Sequence, residues 1–600
     1  MKSLMWLLEC VLAEAGTRCD TDTQRDVITA SRRIEHEGLS FLTISLPSFG
    51  SDFERGLDQG YVDSDLFLGF KRRLALPAFL QGLLSRVFDP LSGVLLDDPC
   101  LEAIICIRQF CLMWKKISLS CSPPREKRAF AGFIKCEHEM TGLLDRIPME
   151  DLVLFRRVSS MIWPRVLMRT EESVYMKDLM PRHGPGATAE RISGNQKYDI
   201  KRWHTRLDES FPFEVYGLPT PEAHLGGNHF EQVHFVEPGA EDPVRVISVP
   251  KTLKTPRIIA IEPVCMQYAQ QAVMESIVDQ IESSHLTRSL INFKDQSINR
   301  YLALDASKSG SLATLDLSEA SDRVHKDVVR IMLETLPNLL EAIFACRSTR
   351  AHVSGCTIQL EKFASMGSAL CFPLEAMVFF TICTMAVWRG LSTTLSMKSL
   401  SKAMNAVHVY GDDLIVPVDQ VEAISDLLET FGLKVNRRKS FWTGKFRESC
   451  GMDAYDGIEV TPTYLRHLPP TGRHCASELV SFVSFANQLY TRGWWTTARR
   501  VREYVEGLIG PLPHVQDTSP CLGWASVDNR FSIQKYCTDL HRPLIKGFVV
   551  QPAWQGDVID DYPALMKYFL KGGDFPCDEK HLERSVRPGS VRITRRWAPP

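Results

Sequence analysis

Two adjacent aspartates, Asp412 and Asp413, follow Tyr410 and Gly411 between two short β-rich runs, Ala406 to Val409 and Leu414 to Val418. These runs read as the arms of a hairpin, and Gly411 supplies its turn chemistry. Two acids at a hairpin tip with no base beside them in sequence repel each other. A pair of divalent cations relieves that repulsion, and two metals about 3.5–4 Å apart form an established clamp for in-line phosphoryl displacement. On these four residues alone, a solvated Gly-Asp-Asp turn is the plain alternative.

Such a clamp needs a carboxylate from another strand and cations for an anionic substrate. Asp316 answers the first need. Leu312 to Leu317 reads as a strand, Asp316 stands near its C-terminal end, and a helix is expected to begin around Ser318 to Asp322, carrying Val324, Val328, Ile331 and Met332 on one face. The segment from Arg245 to Arg257 answers the second. It holds Arg245, Lys251, Lys254 and Arg257 with no acid, and its β-branched residues suggest a strand–turn–strand that either gathers cations around a triphosphate or presents a solvated basic face. Ser365, Met366, Gly367 and Ser368 form a loop of small residues that can lie beside a sugar or backbone, ahead of an apolar helix from Ala376 to Trp388. After the hairpin, a helix (Val421 to Phe431) and a strand (Leu433 to Val435) lead to Arg437, Arg438 and Lys439, cations that can fold back on the acidic tip.

Six hundred residues exceed one hydrophobic core, so several subdomains must position these groups. Composition is that of a globular protein, 44% hydrophobic and 24% charged, and the formal net charge is −2. A polyanion site must therefore be a local concentration of Lys and Arg. The 17 cysteines show no zinc spacing and read as thiols of a reducing cytosol. Leu4, Leu7, Leu8, Val11 and Leu12 fit one helix face, and Glu9 and Glu14 interrupt any signal-like stretch. The run from Ala376 to Trp388 has 13 residues, too few to span a bilayer, so no membrane partner is expected. The loop Arg182 to Thr188 can bring backbone N–H groups to a phosphate, or be a structural turn. Leu479, Phe482, Val483, Ala486, Leu489 and Tyr490 repeat at helical spacing. Arg492, Arg499, Arg500 and Arg502 around Trp494 and Trp495, and a tail with Arg584, Arg587, Arg592, Arg595 and Arg596, offer two basic surfaces, either simply solvated or suited to a polyanion.

In this order, the basic strand-turn, Asp-bearing strand, Gly loop with helix, acidic hairpin and Lys-bearing turn resemble motifs F, A, B, C and D of viral RNA-dependent RNA polymerases. Val249 to Pro263, Asp295 to Ala303, Asp316 to Asp322, Tyr410 to Asp413 and Phe446 to Gly451 are similar to the replicase beta subunits of single-stranded RNA bacteriophages, the levivirus type related to the phage Qβ enzyme. The resemblance spans about residues 180–470. It implies an α+β right-hand fold with fingers, a palm carrying an antiparallel sheet, and a mainly helical thumb. The implied division is 1–180 (N-terminal region and part of the fingers), 181–300 (fingers), 301–470 (palm) and 471–600 (thumb and basic tail).

The implied activity is template-directed RNA synthesis that replicates a positive-strand phage genome. Asp316 and Asp412 would bridge two Mg²⁺ ions, with Mn²⁺ as a substitute, and Asp413 would stand beside them. Arg245, Lys251, Lys254 and Arg257 would hold the triphosphate, Ser365, Gly367 and Ser368 would line the nucleotide, and Lys439 would be a general acid for pyrophosphate. RNA template, product and NTPs are the implied partners, together with host elongation factors Tu and Ts and a ribosomal protein, in the cytoplasm of the bacterial host. Two departures stand out. Cys371 and Glu375 occupy motif B positions that usually hold Thr and Asn, so the ribose-selecting residues are left open, and Asp322 lies six residues after Asp316 rather than five. Reverse transcriptases share the palm but usually lack glycine at the position of Gly411. A palm retained only for RNA binding is the third reading.

Overall fold

Leu4, Leu7, Leu8, Val11 and Leu12 recur every three or four residues, and they are the buried stripe of a helix, α1 (Lys2–Arg18). The computed structural model describes residues 2–218, 232–528, 530–560, 562–571, 580–584 and 589–600. Helices α2 (Leu46–Gln59) and α3 (Leu101–Leu112) pack together, and α3 also packs on α1. A fourth helix, α4 (Pro123–Met140), opens with two prolines in its first turn, where a missing N–H breaks no helical bond. This N-terminal region does not close its own core. Leu7, Phe110 and Trp114 share one buried cluster with Phe441, Phe482 and Trp494 from the far end of the chain.

The cationic segment forms the strand–turn–strand expected of it, β1 (Val244–Val249) antiparallel to β2 (Arg257–Ile261), with Val249 opposite Arg257. Helices α5 (Val264–Ser283) and α6 (Ser297–Ser309) follow, and then β3 (Leu312–Asp316). The helix expected from Ser318 starts later, as α7 (Lys326–Leu333). Glu319 takes a left-handed φ of 55°, only a single 3-10 turn forms at Ala320–Asp322, and the His325 side chain caps α7 by accepting from the Asp327 N–H. Strands β4 (Arg350–Val353) and β5 (Cys356–Gln359) complete a four-stranded sheet, order β2-β1-β4-β5, in which β1 and β4 are parallel.

The apolar run at 376–388 belongs to a longer helix than its composition suggested, α8 (Cys371–Gly390), because Pro373 sits in the first turn, where proline is tolerated. It has 20 residues and, among the described residues, is the one helix long and apolar enough to cross a membrane. However, 89% of its apolar window is buried inside the protein, so it serves as the axis of the largest core cluster. The acidic hairpin is β6 (His408–Tyr410) and β7 (Asp413–Pro417). It adds β3 on its far side, giving the antiparallel order β6-β7-β3. Beyond it come α9 (Val421–Thr430) and a connection in which Leu433 to Val435 is not a strand. Isolated bridges, Leu317 with Val435 and Thr314 with Phe441, tie it to β3. Strands β8 (Phe446–Ser449) and β9 (Met452–Tyr455) pack on α6.

Helices α10 (Ala476–Thr491) and α11 (Trp495–Ile509) carry the expected apolar stripe inward, with Leu479, Phe482, Ala486 and Leu489 buried. The C-terminal region is not helical throughout. Strands β10 (Lys535–Cys537), β11 (Arg542–Ala553) and β12 (Ser590–Ala598) form an antiparallel sheet in that order. Arg592, Arg595 and Arg596 therefore belong to a strand rather than a loose tail, and Arg587 lies outside the described residues.

Candidate active site

Tyr410 pairs with Asp413, which leaves Gly411 and Asp412 as a two-residue loop. Gly411 has φ +62° and Asp412 has no positive φ, the pattern of a type II′ turn with glycine at its first central position. Asp413 is thus already in the strand, and only Asp412 sits at the bend. The same register sets Asp413 directly opposite Asp316, so the adjacent pair Asp412 and Asp413 shares one sheet end with an aspartate nearly a hundred positions earlier. The hairpin is braced from outside. Tyr410 donates its hydroxyl to the Phe293 carbonyl (2.9 Å), and its ring meets Phe372 edge-on at 5.7 Å.

Crowding three carboxylates raises their cost of ionisation. Burial first, and then Asp412, pushes Asp413 up to about 6, although the Cys450 N–H donates to its Oδ2 at 3.0 Å. Asp412 is also raised, by burial and then by Asp316. Asp316 Oδ2 accepts from Asn436 Nδ2 at 2.7 Å and lies 3.5 Å from Lys439 Nζ. Burial opposes charge on Lys439, but Asp316 and Glu448 outweigh it and raise its pKa. Lys251, in the β1–β2 turn, faces the same acids. Its pKa is lowered by burial and by Arg257 and Lys439, against the pull of Asp412 and Asp316. The donors are all hard carboxylate oxygens under mutual repulsion, a set suited to Mg²⁺-type cations. Among the described residues no group of three or more His, Cys, Asp or Glu is already arranged to hold a metal ion.

The remaining expected residues divide. Lys254 lines a cavity of about 320 Å³ together with Asn436, Arg438 and Lys439. Arg257 is exposed at the start of β2. Arg245 is not gathered with them. It sits opposite Ile261 at the other end of the hairpin, four residues and about 13 Å of strand rise from Val249. At the small-residue loop, Gly367 has φ +128° and a Cβ there would strike the Ala260 carbonyl of β2, while the Ala260 N–H donates to the Met366 carbonyl at 2.9 Å. The glycine therefore lets the loop lie on the cationic hairpin. Ser368 donates to Gln270 Oε1 at 3.0 Å, and the buried Ser365 hydroxyl has no hydrogen-bond partner among the described residues.

Two residues of this site, Arg55 and Lys115, escaped sequence reasoning. Arg55 of α2 and Lys115 line the Lys254 cavity, and Arg55 donates to the Arg437 carbonyl at 3.2 Å across 382 positions. No local pattern signals such a contact. Glu375 is buried in the first turns of α8, raised well above the usual carboxylate range by burial and then by Asp412 and Asp322. Asp322 is held by the fully buried Lys362 at 2.9 Å. The basic cluster near Trp494 is partly engaged within the protein. Arg492 pairs with Glu459 at 2.9 Å, Arg502 covers Tyr490 at 4.4 Å, and buried Trp494 lies under Arg18 at 4.6 Å. In the loop after Arg182, the Gly184 and Gly186 carbonyls accept from Lys197, which makes it a structural turn.

Residues 239–498 match a protein family described as RNA replicase, beta-chain. Over 224 residues the chain is 36% identical to the RNA-directed RNA polymerase subunit beta of Qbeta virus (strain MX1), covering 37% of this chain and 35% of that protein. Over 221 residues it is 36% identical to the RNA-directed RNA polymerase beta chain of Escherichia phage MS2, covering 37% of each. The chain thus matches little more than a third of these relatives' own length. The crystal structure of the RNA-dependent RNA polymerase of a human picorbirnavirus aligns at 12% identity over 44% of this chain and 55% of that one, with a TM-score of 0.32, too low to bear on the fold. The matched segment holds the cationic hairpin, Asp316, Gly367, Asp412, Asp413 and Lys439. Over that segment the resemblance to the phage replicases is borne out.

Proposed function

We propose that this chain is the catalytic subunit of an RNA-dependent RNA polymerase of the phage replicase kind, joining ribonucleotides on an RNA template. The convergence of Asp316, Asp412 and Asp413 at one sheet end, facing Lys251 and Lys439, carries this reading. The β6-β7-β3 sheet is read as the palm, the β1–β2 hairpin as part of the fingers, and α10 with α11 as the thumb. Asp316 and Asp412 would hold two Mg²⁺ ions with Asp413 beside them. When bound, such ions supply charge neutralisation at the phosphates and a lowered pKa at the attacking 3′-hydroxyl.

The chain's own residues do the rest. Lys251, Lys254 and Arg257 bind the triphosphate tail as charge-assisted donors. Lys439 Nζ, poised beside Asp316, gives a proton to the departing pyrophosphate oxygen. The loop at Gly367 rests on β2, so movement of the cationic hairpin and placement of the sugar are linked. In the cell, host elongation factors Tu and Ts and a ribosomal protein complete the assembly in the bacterial cytoplasm.

Asp412→Asn tests the reading. Nucleotide incorporation on an RNA template with Mg²⁺ is expected to vanish while RNA binding survives, and unaltered incorporation would end it. Extension with dNTPs in preference to NTPs would instead favour a reverse transcriptase.

A further inference from the structure

The C-terminal sheet carries six cations on its three strands, Lys535, Arg542, Lys546, Arg592, Arg595 and Arg596, and no acid. In a chain of net charge −2 this is a strong local excess. Register decides how the cations are arrayed. Lys546 stands directly opposite Trp597, Phe548 opposite Arg595, and Lys535 opposite Leu544. Since alternate residues share a face, Lys535, Lys546, Arg595 and Trp597 all project from one side of the sheet. At one end of that side, Phe548, Val550 and Ile593 pack against the core around α10. The other end is left open. Trp597 is 46% exposed there, with the Lys535 and Lys546 ammonium groups each 6.0 Å from its ring. Among the described residues, none of these three cations pairs with a carboxylate.

An exposed indole edged by cations on a rigid strand matches the physical needs of single-stranded nucleic acid, a π-face for a base and positive charge for the flanking phosphates. A duplex keeps its bases stacked on one another and offers no face to the ring. We propose that this open end of the sheet binds single-stranded RNA, with one base stacked on Trp597 and neighbouring phosphates held by Lys535, Lys546 and Arg595. The site is separate from the acidic hairpin and does not depend on the polymerase reading.

The full chain is titrated with a fluorescent 12-nucleotide oligouridylate and, as control, a 12-base-pair RNA duplex. Trp597→Ala is expected to weaken single-strand binding about tenfold, as loss of one stacked base does, with Trp597→Phe restoring it and duplex binding unchanged. Lys535→Gln, Lys546→Gln and Arg595→Gln together should lower the slope of log affinity against log salt by about 2, at roughly 0.7 per phosphate contact on a single strand. RNA bearing 4-thiouridine should photocrosslink to the peptide containing Trp597. Unchanged affinity in Trp597→Ala, or crosslinks that avoid this peptide, would overturn the proposal, as would polyglutamate competing as well as oligouridylate. A wild-type protein that crosslinks here but incorporates no nucleotide even when bacterial host extract is supplied would refute the polymerase reading and leave this one standing.

Discussion

Replacing Lys362 with methionine removes a buried charge behind the acidic site. Lys362 is fully buried, with Nζ 3.0 Å from Glu137 Oε1, 2.9 Å from Asp322 Oδ1, and 3.3 Å above the Phe133 ring. Burial opposes its charge, yet Asp322 and Glu137 outweigh burial and raise its pKa. Methionine keeps much of the stem's volume and leaves two carboxylates without their counter-charge. Removing one member of a buried pair costs about 3–5 kcal/mol. The Asp322 side chain is 20% exposed, so water recovers part of its loss and about 3–4 kcal/mol is expected. The damage should be local, because the Glu361 N–H donates to Glu137 at 2.7 Å and the Phe363 N–H to the Val324 carbonyl at 2.7 Å. Native-state hydrogen exchange reads those two amides directly. At about 1.4 kcal/mol per tenfold, protection there should fall by about two to three orders of magnitude. Adding Glu137→Gln should restore part of it, since one unpaired charge is then removed. A loss of protection below about fivefold would refute the view that this lysine is what makes the two acids tolerable.

Three further outcomes are expected. Gly411→Ala places a Cβ against the Phe372 ring and imposes a left-handed conformation worth about 1–2 kcal/mol, so Asp412 is displaced and single-turnover incorporation should fall about a hundredfold with little change in RNA affinity. Lys439→Ala should slow the chemical step about a hundredfold while leaving the KM for NTP within a small factor, whereas a KM effect alone would make it a binding residue. The third concerns acid. Burial, and then Lys197, holds the His183 imidazole down to about 3. As pH falls from about 6.5 towards 3, the unfolded chain gains a proton that the folded chain refuses, so stability is lost across that window. His183→Phe, stacked on Tyr268 as the imidazole is, should flatten the decline of the urea midpoint between pH 7.5 and 5, and parallel declines would count against it.

Patterns that depend on neighbouring residues were readable before the structure. The apolar stripe at Leu4 to Leu12, the strand ending at Asp316, the turn at Gly411 and the cation-rich hairpin at 245–257 each carry their own period or turn chemistry. Features set by distant partners were not. Arg245 and Lys251 look alike in sequence, yet strand length separates them onto opposite ends of the hairpin. Ser318 looks like a helix start, but the left-handed Glu319 delays the helix to Lys326. Asn436 has no local mark of its grip on Asp316, because that contact arises only when the connection after α9 folds back along β3. Among the arginines around Trp494, read as a phosphate grip, Arg492 and Arg500 also pair with Glu459 and Glu503 and Arg502 covers the Tyr490 ring, partners that no local pattern signals.

The core shared by α1 and α3 with α10 and α11 has a bearing on how the protein is made. Phe110 leaves the ribosome some 370 residues before Phe482, with which it is buried, and Leu7 leaves earlier still. At about 5–20 residues per second, this interval is roughly 20–70 seconds, during which the early helices present an oily flank to solvent. Productive synthesis should thus lean on chaperone cover, and two fragments co-expressed from a break in the middle of the chain should find each other, because neither half can hide its greasy side alone.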